Sequence, residues 1–269
     1  MTQTHVPVDR RFSKPSEEEL RDYDYQGYLG SYYASKTSNW NDILQCKRVI
    51  ILGEGRSGKT HEFRQQAAQL RAKGRCSVFI PLERLHDSTT EDAISPADER
   101  ALDEWLNIKS EDEAWFFLDA VDELKLRDGS FRSALRKLGR KIEGKSNLAH
   151  LIVSCRPADW RHQIDATDFN ELFPIAVENA RVIAPPPEEF FRSTLTRAET
   201  EDQNQQLEKP EATPQTLAIY ALLPLTPTQV TDFAEALDPA SSKGFKEQIE
   251  KQKRGRFFKR PRTSLMALL

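Results

Sequence analysis

The amino-acid sequence predicts an α/β fold, in which three layers (α/β/α) form around a mainly parallel β-sheet and a small, partial helical domain follows. Two observations carry this prediction. Along the 269 residues, short apolar runs of strand length alternate with stretches long enough for a crossover helix. The runs are continuously apolar, which suits a parallel sheet covered by helices on both faces. Strands that alternate with helices in this way are typical of three-layer α/β domains.

Five apolar runs are the predicted strands. They are "RVIIL" (48 to 52), "SVFIPL" (77 to 82), "AWFFL" (114 to 118), "HLIVS" (150 to 154) and "LAIYALL" (217 to 223).

Composition changes along the chain predict three regions. Residues 1–40 are polar and are expected to form a loosely packed arm that leads into a helix containing "SNWNDILQC". Residues 41–224 form the α/β core, with a polar surface insertion at 185–214 that has prolines at both ends. Residues 225–269 are the partial helical domain, and "TPTQVTDFAEAL" opens its first helix with a Thr cap and a Pro suited to the first turn.

Charge and hydropathy exclude several classes of protein. The net charge is -3 and the pI about 6.0, so no overall basic field points to nucleic acid. No apolar run approaches the roughly 18 residues that span a bilayer, and the N-terminus lacks the apolar core of a secretory signal. Cys46, Cys76 and Cys155 lie far apart and form no CxxC pair. We therefore expect reduced thiols and a cytoplasmic location, with no membrane or nucleic-acid partner.

A glycine-rich segment, "GEGRSGKT" at 53–60, follows the first predicted strand and precedes a helix-forming stretch. It fits the pattern G-x-x-x-x-G-K-[ST] of a P-loop NTPase in its required setting of strand, loop and helix. Successive backbone N–H groups of such a loop, and the helix N-terminus, face an anion. Lys59 would reach the β and γ phosphates, and the Thr60 hydroxyl would ligate Mg²⁺. The alternative is a glycine-rich turn that binds nothing. The predicted nucleotide-binding residues are Gly53, Glu54, Gly55, Arg56, Ser57, Gly58, Lys59 and Thr60.

Three carboxylates stand within five positions directly after a buried-looking strand, in "FFLDAVDEL" at 116–124. Mg²⁺ usually takes one or two protein groups besides phosphates and water. We therefore expect Asp119, at the end of a strand neighbouring the phosphate loop, to hold the ion together with Thr60. Asp122 and Glu123, expected on the following loop, are candidates to orient or deprotonate the water that attacks the γ-phosphate. The alternative is a solvated acidic loop.

At these residues the chain resembles a known family. "FFLDAVDE" resembles the Walker B element of NACHT ATPases, which belong to the STAND class of signalling NTPases. "LIVSCRP" (151 to 157) is similar to that family's sensor strand, which implies that Arg156 contacts the γ-phosphate; the alternative is a strand-end Arg paired to a surface acid. "LLPLTPTQVTDFAEAL" resembles the junction into the family's first helical domain. "FFKRPRTSLMALL" is similar to the segment whose proline, here Pro261, would pack on the adenine. The resemblance covers roughly residues 40–269.

The chain departs from the family's pattern in two ways. The family commonly has Gly at the fourth loop position, where this chain has Arg56. The Arg56 side chain either adds a phosphate contact or points to solvent, and the sequence does not decide between these alternatives. The sequence also does not decide between ATP and GTP. The resemblance also implies an effector domain, a winged-helix domain and a sensor array that these 269 residues do not accommodate. We therefore expect a truncated member of the family or the partner of another chain.

The predicted function is that of a slow, regulatory ATPase. It would bind ATP or ADP with Mg²⁺ and change conformation or oligomeric state with the nucleotide, in signalling or antiviral defence. An apolar end, "LMALL", predicts self-association or a partner chain. One alternative is a module that holds nucleotide with negligible turnover. A nucleic-acid-dependent motor of the AAA+ type is disfavoured because no DNA-binding element is recognisable, and the basic stretch 251–262 is interpreted as a solvated helix end.

Overall fold

The computed structural model describes residues 8–16, 20, 37–107, 111–126, 130–174 and 217–237. These residues form a six-stranded sheet with the strand order β1-β6-β2-β5-β4-β3. β1 is antiparallel to β6, and every other neighbouring pair is parallel. The five predicted strands are confirmed, with ends that differ by one residue at most. The strands are β1 (Phe12–Ser13), β2 (Arg48–Leu52), β3 (Cys76–Pro81), β4 (Ala114–Asp119), β5 (Ala149–Cys155) and β6 (Ala218–Leu222).

Helices connect the strands and cover the sheet. Two short 3-10 segments, Ser146–Leu148 and Pro157–Asp159, lie at the start and the end of β5. The α-helices are α1 (Trp40–Leu44), α2 (Lys59–Ala72), α3 (Leu82–Asp87), α4 (Thr90–Ala93), α5 (Pro96–Asn107), α6 (Val121–Leu126), α7 (Phe131–Lys141), α8 (His162–Leu172) and α9 (Pro227–Leu237).

The sheet has an apolar core on each face, as a three-layer fold requires. Successive side chains of a strand point to opposite faces, so Val49 and Ile51 of β2 pack in a cluster with Phe63 of α2. Ile50 and Leu52 belong to a second cluster, which contains buried residues of α3, α5, α6, α7 and α8. The connection from β2 to β3 runs across the sheet to its β3 edge. The connections from β3 to β4 and from β4 to β5 run in the opposite direction, from that edge towards β2. Right-handed crossovers therefore place α2 and the later helices on opposite faces.

The strand order corrects one prediction about the site. β5 lies between β2 and β4, so β4, the strand that Asp119 ends, does not neighbour β2, the strand before the glycine-rich loop at 53–58. Leu52 at the end of β2 is in register with Cys155 of β5, and Asp119 is in register with Pro81 of β3. The order of strands along a sequence does not fix their order in a sheet, because a long crossover can pass over several strands. As a result, the residues that follow β5 lie between the glycine-rich loop and Asp119.

Arg10, Phe12 and Ser13 are buried, so the interpretation of this N-terminal stretch as part of a loose arm is wrong. Phe12 is fully buried and pairs with Leu222 of β6, while Ser13 pairs with Ala221. The ring of Phe12 lies 5.0 Å, between centroids, from that of Trp40. Pairing between residues more than two hundred positions apart leaves no local pattern in the sequence, so the polar composition of the segment alone predicts an arm.

The helix predicted to contain residues 38–46 is present but shorter, at Trp40–Leu44, and the predicted start of α9 is confirmed. α1 begins after Asn39, whose side chain caps it. α9 begins at Pro227 after a reciprocal capping box, in which Gln229 N donates to Thr226 Oγ1 (3.2 Å) and Thr226 N donates to Gln229 Oε1 (2.8 Å). The insertion at 185–214, the basic stretch at 251–262, the apolar end and Pro261 lie outside the described residues.

Other expectations from composition can be compared with the described residues. Cys46, Cys76 and Cys155 are free thiols, as expected. Trp105, Trp115 and Trp160 are buried in the core. In the part of the chain that the structure describes, no helix is both long enough and apolar enough to cross a membrane.

Candidate nucleotide-binding site

The candidate site lies at the carboxyl ends of β2, β5 and β4, the edge at which open α/β sheets bind ligands. The loop at 53–58 leaves β2 here and leads into α2. Its first residue is fastened to the neighbouring strand, because Gly53 N donates to Cys155 O at 3.0 Å. Within the loop, Ser57 N donates to Glu54 O at 3.2 Å. The loop is thus a compact turn attached to the sheet.

The loop adopts a left-handed backbone at two positions. Gly58, the residue before α2, has φ 89°, which glycine adopts without strain. Arg56 has φ 61°, a conformation that costs an L-residue about 1–2 kcal/mol. Position 56 therefore has a backbone conformation that favours glycine, the residue that the NACHT pattern commonly has there.

Lys59, the first residue of α2, folds back over the loop. Its ammonium donates to Gly53 O at 2.6 Å and to Glu54 O at 2.9 Å. Burial lowers the pKa of Lys59, and the negative charges of Asp122 and Asp119 partly offset that effect. Both acids therefore lie near enough to act on the ammonium. Thr60, the next residue, is exposed at the start of α2.

Asp119 ends β4 and is held by a serine of the central strand. It is 4% exposed, and its Oδ1 accepts a hydrogen bond from Ser154 Oγ at 2.6 Å. Ser154 Oγ in turn accepts from Ala120 N at 2.9 Å. Ala120 has φ 66°, so the chain leaves β4 through a strained residue that Ser154 fixes from β5. The Ser154 hydroxyl thus fixes both the position of the Asp119 carboxylate and the backbone of Ala120 that follows it.

Asp122 and Glu123 were expected on a loop, and this expectation is wrong. They lie in the first turn of α6, which begins at Val121. The helix forms because Val121 and Leu124, one turn apart, are both fully buried in the core. This orientation also places Asp122 inside the protein, where it is 4% exposed, and leaves Glu123 at the surface.

Arg156 and Asp122 form an ion pair across the site. Arg156 Nε lies 2.6 Å from Asp122 Oδ2, without the geometry of a hydrogen bond. The guanidinium also lies beside the glycine-rich loop, since a Cβ placed on Gly55 would lie 3.5 Å from the central guanidinium carbon of Arg156. Arg156 is thus not paired to a surface acid. Its partner is a buried carboxylate of the site.

Several buried polar atoms of the site have no hydrogen-bond partner among the described residues. They include Ser57 Oγ in the glycine-rich loop, Asp122 Oδ1 and Arg156 Nε. Buried polar groups are nearly always satisfied by protein or by ordered water, so each orphan needs a further group. A polar ligand or ordered water at this edge would supply it.

Glu123 differs from the other acids in its surroundings. Partial desolvation raises the pKa of Glu123, and the negative charges of Asp122, Glu83 and Asp119 raise it further. An exposed carboxylate that holds its proton more strongly than usual is a better proton acceptor once ionised.

Sequence reasoning missed two residues of the site. Ser154 had a weak signal, as a polar residue at the end of an apolar strand. Arg10 had none: it is 4% exposed and its Nη2 donates to Ser57 O at 3.1 Å, from the segment interpreted as a loose arm.

The structure brings the predicted phosphate loop, Asp119, Asp122, Glu123 and Arg156 to one edge of the sheet. Among the described residues, no cluster of three or more His, Cys, Asp or Glu side chains is arranged to hold a metal ion. The predicted pair of Mg²⁺ ligands, Thr60 and Asp119, is a smaller set, and Pro261 lies outside the described residues.

Comparisons with known proteins assign no family. No family model matches the sequence, and no curated protein matches it. The cytoplasmic domain of EssC is a solved structure similar to this chain, with a TM-score of 0.27 and 15% sequence identity. That match covers 93% of this chain and 51% of the EssC chain, so this chain spans about half the length of that structure. A likeness at this level carries no functional argument.

Proposed function

We propose that this protein binds Mg-ATP at the carboxyl ends of β2, β5 and β4 and hydrolyses it slowly, as the regulatory module of a signalling or defence protein. One observation carries the proposal. Arg156 pairs with Asp122 of the acidic helix α6 and lies beside Gly55 of the glycine-rich loop, so two segments about 70 residues apart in the sequence meet around one charged side chain. These segments are those expected to bind phosphates and to promote hydrolysis.

The loop supplies the groups that a chain of phosphates needs. Backbone N–H groups and the N-terminus of α2, a helix of 14 residues, favour an anion. Lys59 now donates to two neutral carbonyls, which are weaker acceptors than anionic phosphate oxygens. A bound nucleotide would therefore draw Lys59 away from Gly53 and Glu54.

The acidic residues have two different roles, one at the metal ion and one at the attacking water. Asp119 and Thr60 would hold Mg²⁺, and Ser154 engages one oxygen of Asp119 and leaves the other for the ion. Bound Mg²⁺ neutralises charge on the phosphates. We assign proton acceptance to Glu123, because Asp122 is committed to Arg156, whereas Glu123 is exposed and has a raised pKa. Asp122 then has the role of holding Arg156.

Backbone strain at this edge supports a functional role. In the described part of the chain, Arg56 and Ala120 are the non-glycine residues with positive φ, and both border the site. Residues held in such conformations cost about 1–3 kcal/mol and cluster at active sites and ligand clamps.

Membership of the NACHT family is part of the same proposal. The resemblance to NACHT ATPases supports a nucleotide-controlled change of shape or assembly, with self-association or a partner chain that supplies further domains. A second candidate function is a module that holds nucleotide with negligible turnover. The Arg156–Asp122 pair favours it, because an arginine engaged by a carboxylate is less available to a transferring phosphate.

The test measures Mg-ATP binding by calorimetry and hydrolysis in a single turnover. Lys59→Ala should abolish binding or weaken it severely, since the phosphates lose a positioned cation. Lys73→Ala, which removes an exposed lysine at the other end of α2, should bind like the wild type. Binding with turnover supports the ATPase, and binding without turnover supports the holding module. Wild-type affinity in Lys59→Ala would overturn the site.

A further inference from the structure

We infer that residues 9–13 are part of the nucleotide site and that Arg10 is a positioning residue for the phosphate loop. The inference deepens the proposed function and rests on it, but its first consequence, a stiffer loop, can be measured without nucleotide.

Arg10 reaches the middle of the loop from the opposite end of the sequence. Its side chain is almost fully buried and its Nη2 donates to Ser57 O at 3.1 Å. Ser57 is also bonded through its N–H to Glu54 O, so both polar backbone groups of this residue are engaged. A loop that presents N–H groups to an anion needs its carbonyls turned away, and a cationic donor on the carbonyl of Ser57 favours that orientation.

The segment that carries Arg10 is held firmly on both sides. Phe12 pairs with β6, and it exchanges hydrogen bonds with Ser38 at 2.9 and 2.8 Å. Its side chain is fully buried. Arg10 therefore extends from a fixed strand.

The same segment contacts the start of α9. Gln229 Nε2 donates to Asp9 O at 2.5 Å, and Leu223 N donates to Arg11 O at 3.0 Å. Residues 9–13 thus form a strut between the phosphate loop and the first helix after the sheet. A change in the loop on nucleotide binding would reach α9 through this strut.

Amide hydrogen exchange without nucleotide tests the positioning role. Arg10→Ala should increase exchange at residues 54–58 by about tenfold, because a partly buried, charge-assisted hydrogen bond is lost. Lys14→Ala, which removes an exposed positive charge just beyond β1, should leave the loop unchanged. Arg10→Lys, which keeps the charge, should restore part of the protection and remains informative if the alanine variant fails to fold. Equal loop exchange in Arg10→Ala and Lys14→Ala would overturn the inference.

Nucleotide binding tests the link to function. In Arg10→Ala, Mg-ATP affinity should fall about tenfold, with wild-type affinity in Lys14→Ala. If wild-type protein binds no Mg-ATP, the proposed function fails while the exchange result still judges the role of Arg10.

A variant of Gln229 tests the strut. Gln229→Glu keeps the acceptor that caps α9 and removes the donor to Asp9. It should increase exchange at residues 9–13 and, to a smaller extent, at 54–58. Unchanged exchange at both segments would overturn the coupling to α9.

Discussion

Arg156 Nε lies 2.6 Å from Asp122 Oδ2. Arg156 follows β5, and Asp122 lies in the first turn of α6, the helix that follows the neighbouring strand β4. The arginine side chain is 41% exposed, whereas that of the acid is 5% exposed. The pair therefore closes the site from one side, and a ligand that competes for Arg156 would leave a buried carboxylate to find another partner.

A double-mutant cycle measures this pair. Asp122→Asn and Arg156→Gln should each lower the free energy of unfolding, with a coupling of about 1 kcal/mol, because solvent partly screens the interaction. Urea denaturation of the four proteins gives the coupling. A control cycle combines Arg156→Gln with Asp168→Asn. The native carboxylate of Asp168 pairs with Arg132, so these two substitutions should change the free energy of unfolding additively. Additivity in both cycles would mean that the pair does not form in solution.

Glu123→Gln should separate binding from hydrolysis. The amide keeps the size of the side chain but cannot accept a proton, so Mg-ATP affinity should persist while single-turnover hydrolysis slows by about 100-fold or more. Glu104→Gln, on the exposed face of α5, is the matched control and should hydrolyse normally. Normal hydrolysis in Glu123→Gln would refute the assignment of the base.

The pH dependence of hydrolysis should follow Glu123. A base acts only when ionised, and partial desolvation together with nearby negative charge raises the pKa of Glu123. Hydrolysis should therefore decline as the pH falls through a value above the ordinary pKa of a glutamate. Single-turnover rates across the acid range, in wild type and Glu123→Gln, check this. The residual hydrolysis rate of Glu123→Gln should no longer decline at low pH. If the variant shows the same decline as the wild type, another group causes it.

Asp119→Asn should weaken the Mg²⁺ dependence of nucleotide binding, because the ion loses its anionic ligand while the amide can still meet Ser154. ATP titrations at several Mg²⁺ concentrations, and with chelator, provide the measurement. Without Mg²⁺, the variant and the wild type should bind ATP similarly. If Mg²⁺ strengthens binding equally in both proteins, Asp119 does not hold the ion.

Arg56→Gly should relieve backbone strain in the phosphate loop. Glycine adopts φ 61° freely, whereas alanine keeps the steric cost of arginine, so the glycine variant should be more stable than Arg56→Ala by about 1 kcal/mol. Thermal unfolding of both variants gives the difference. Their ATP affinities also decide the role of the side chain: a loss shared by both variants indicates a phosphate contact, and no loss indicates a solvent-facing arginine.

The sequence by itself determined the strands β2 to β6, the glycine-rich loop before α2 and the acid at the end of β4. These features are local, since a continuous apolar run, a glycine pattern and a strand-end carboxylate can each be recognised within about ten residues of chain. The caps of α1 and α9 are local in the same way, because a capping side chain bonds to backbone groups two or three positions away.

The tertiary structure alone decided which of these local features meet. It placed β5 between β2 and β4, and so put Ser154 and Arg156 between the loop and the acids. It turned Asp122 inward, because Val121 and Leu124 become buried only when the other helices cover them. It also brought Arg10 to Ser57 across 47 positions of sequence. Such contacts depend on how the whole chain packs, and no local pattern encodes the balance of burial, charge and strand pairing that selects them.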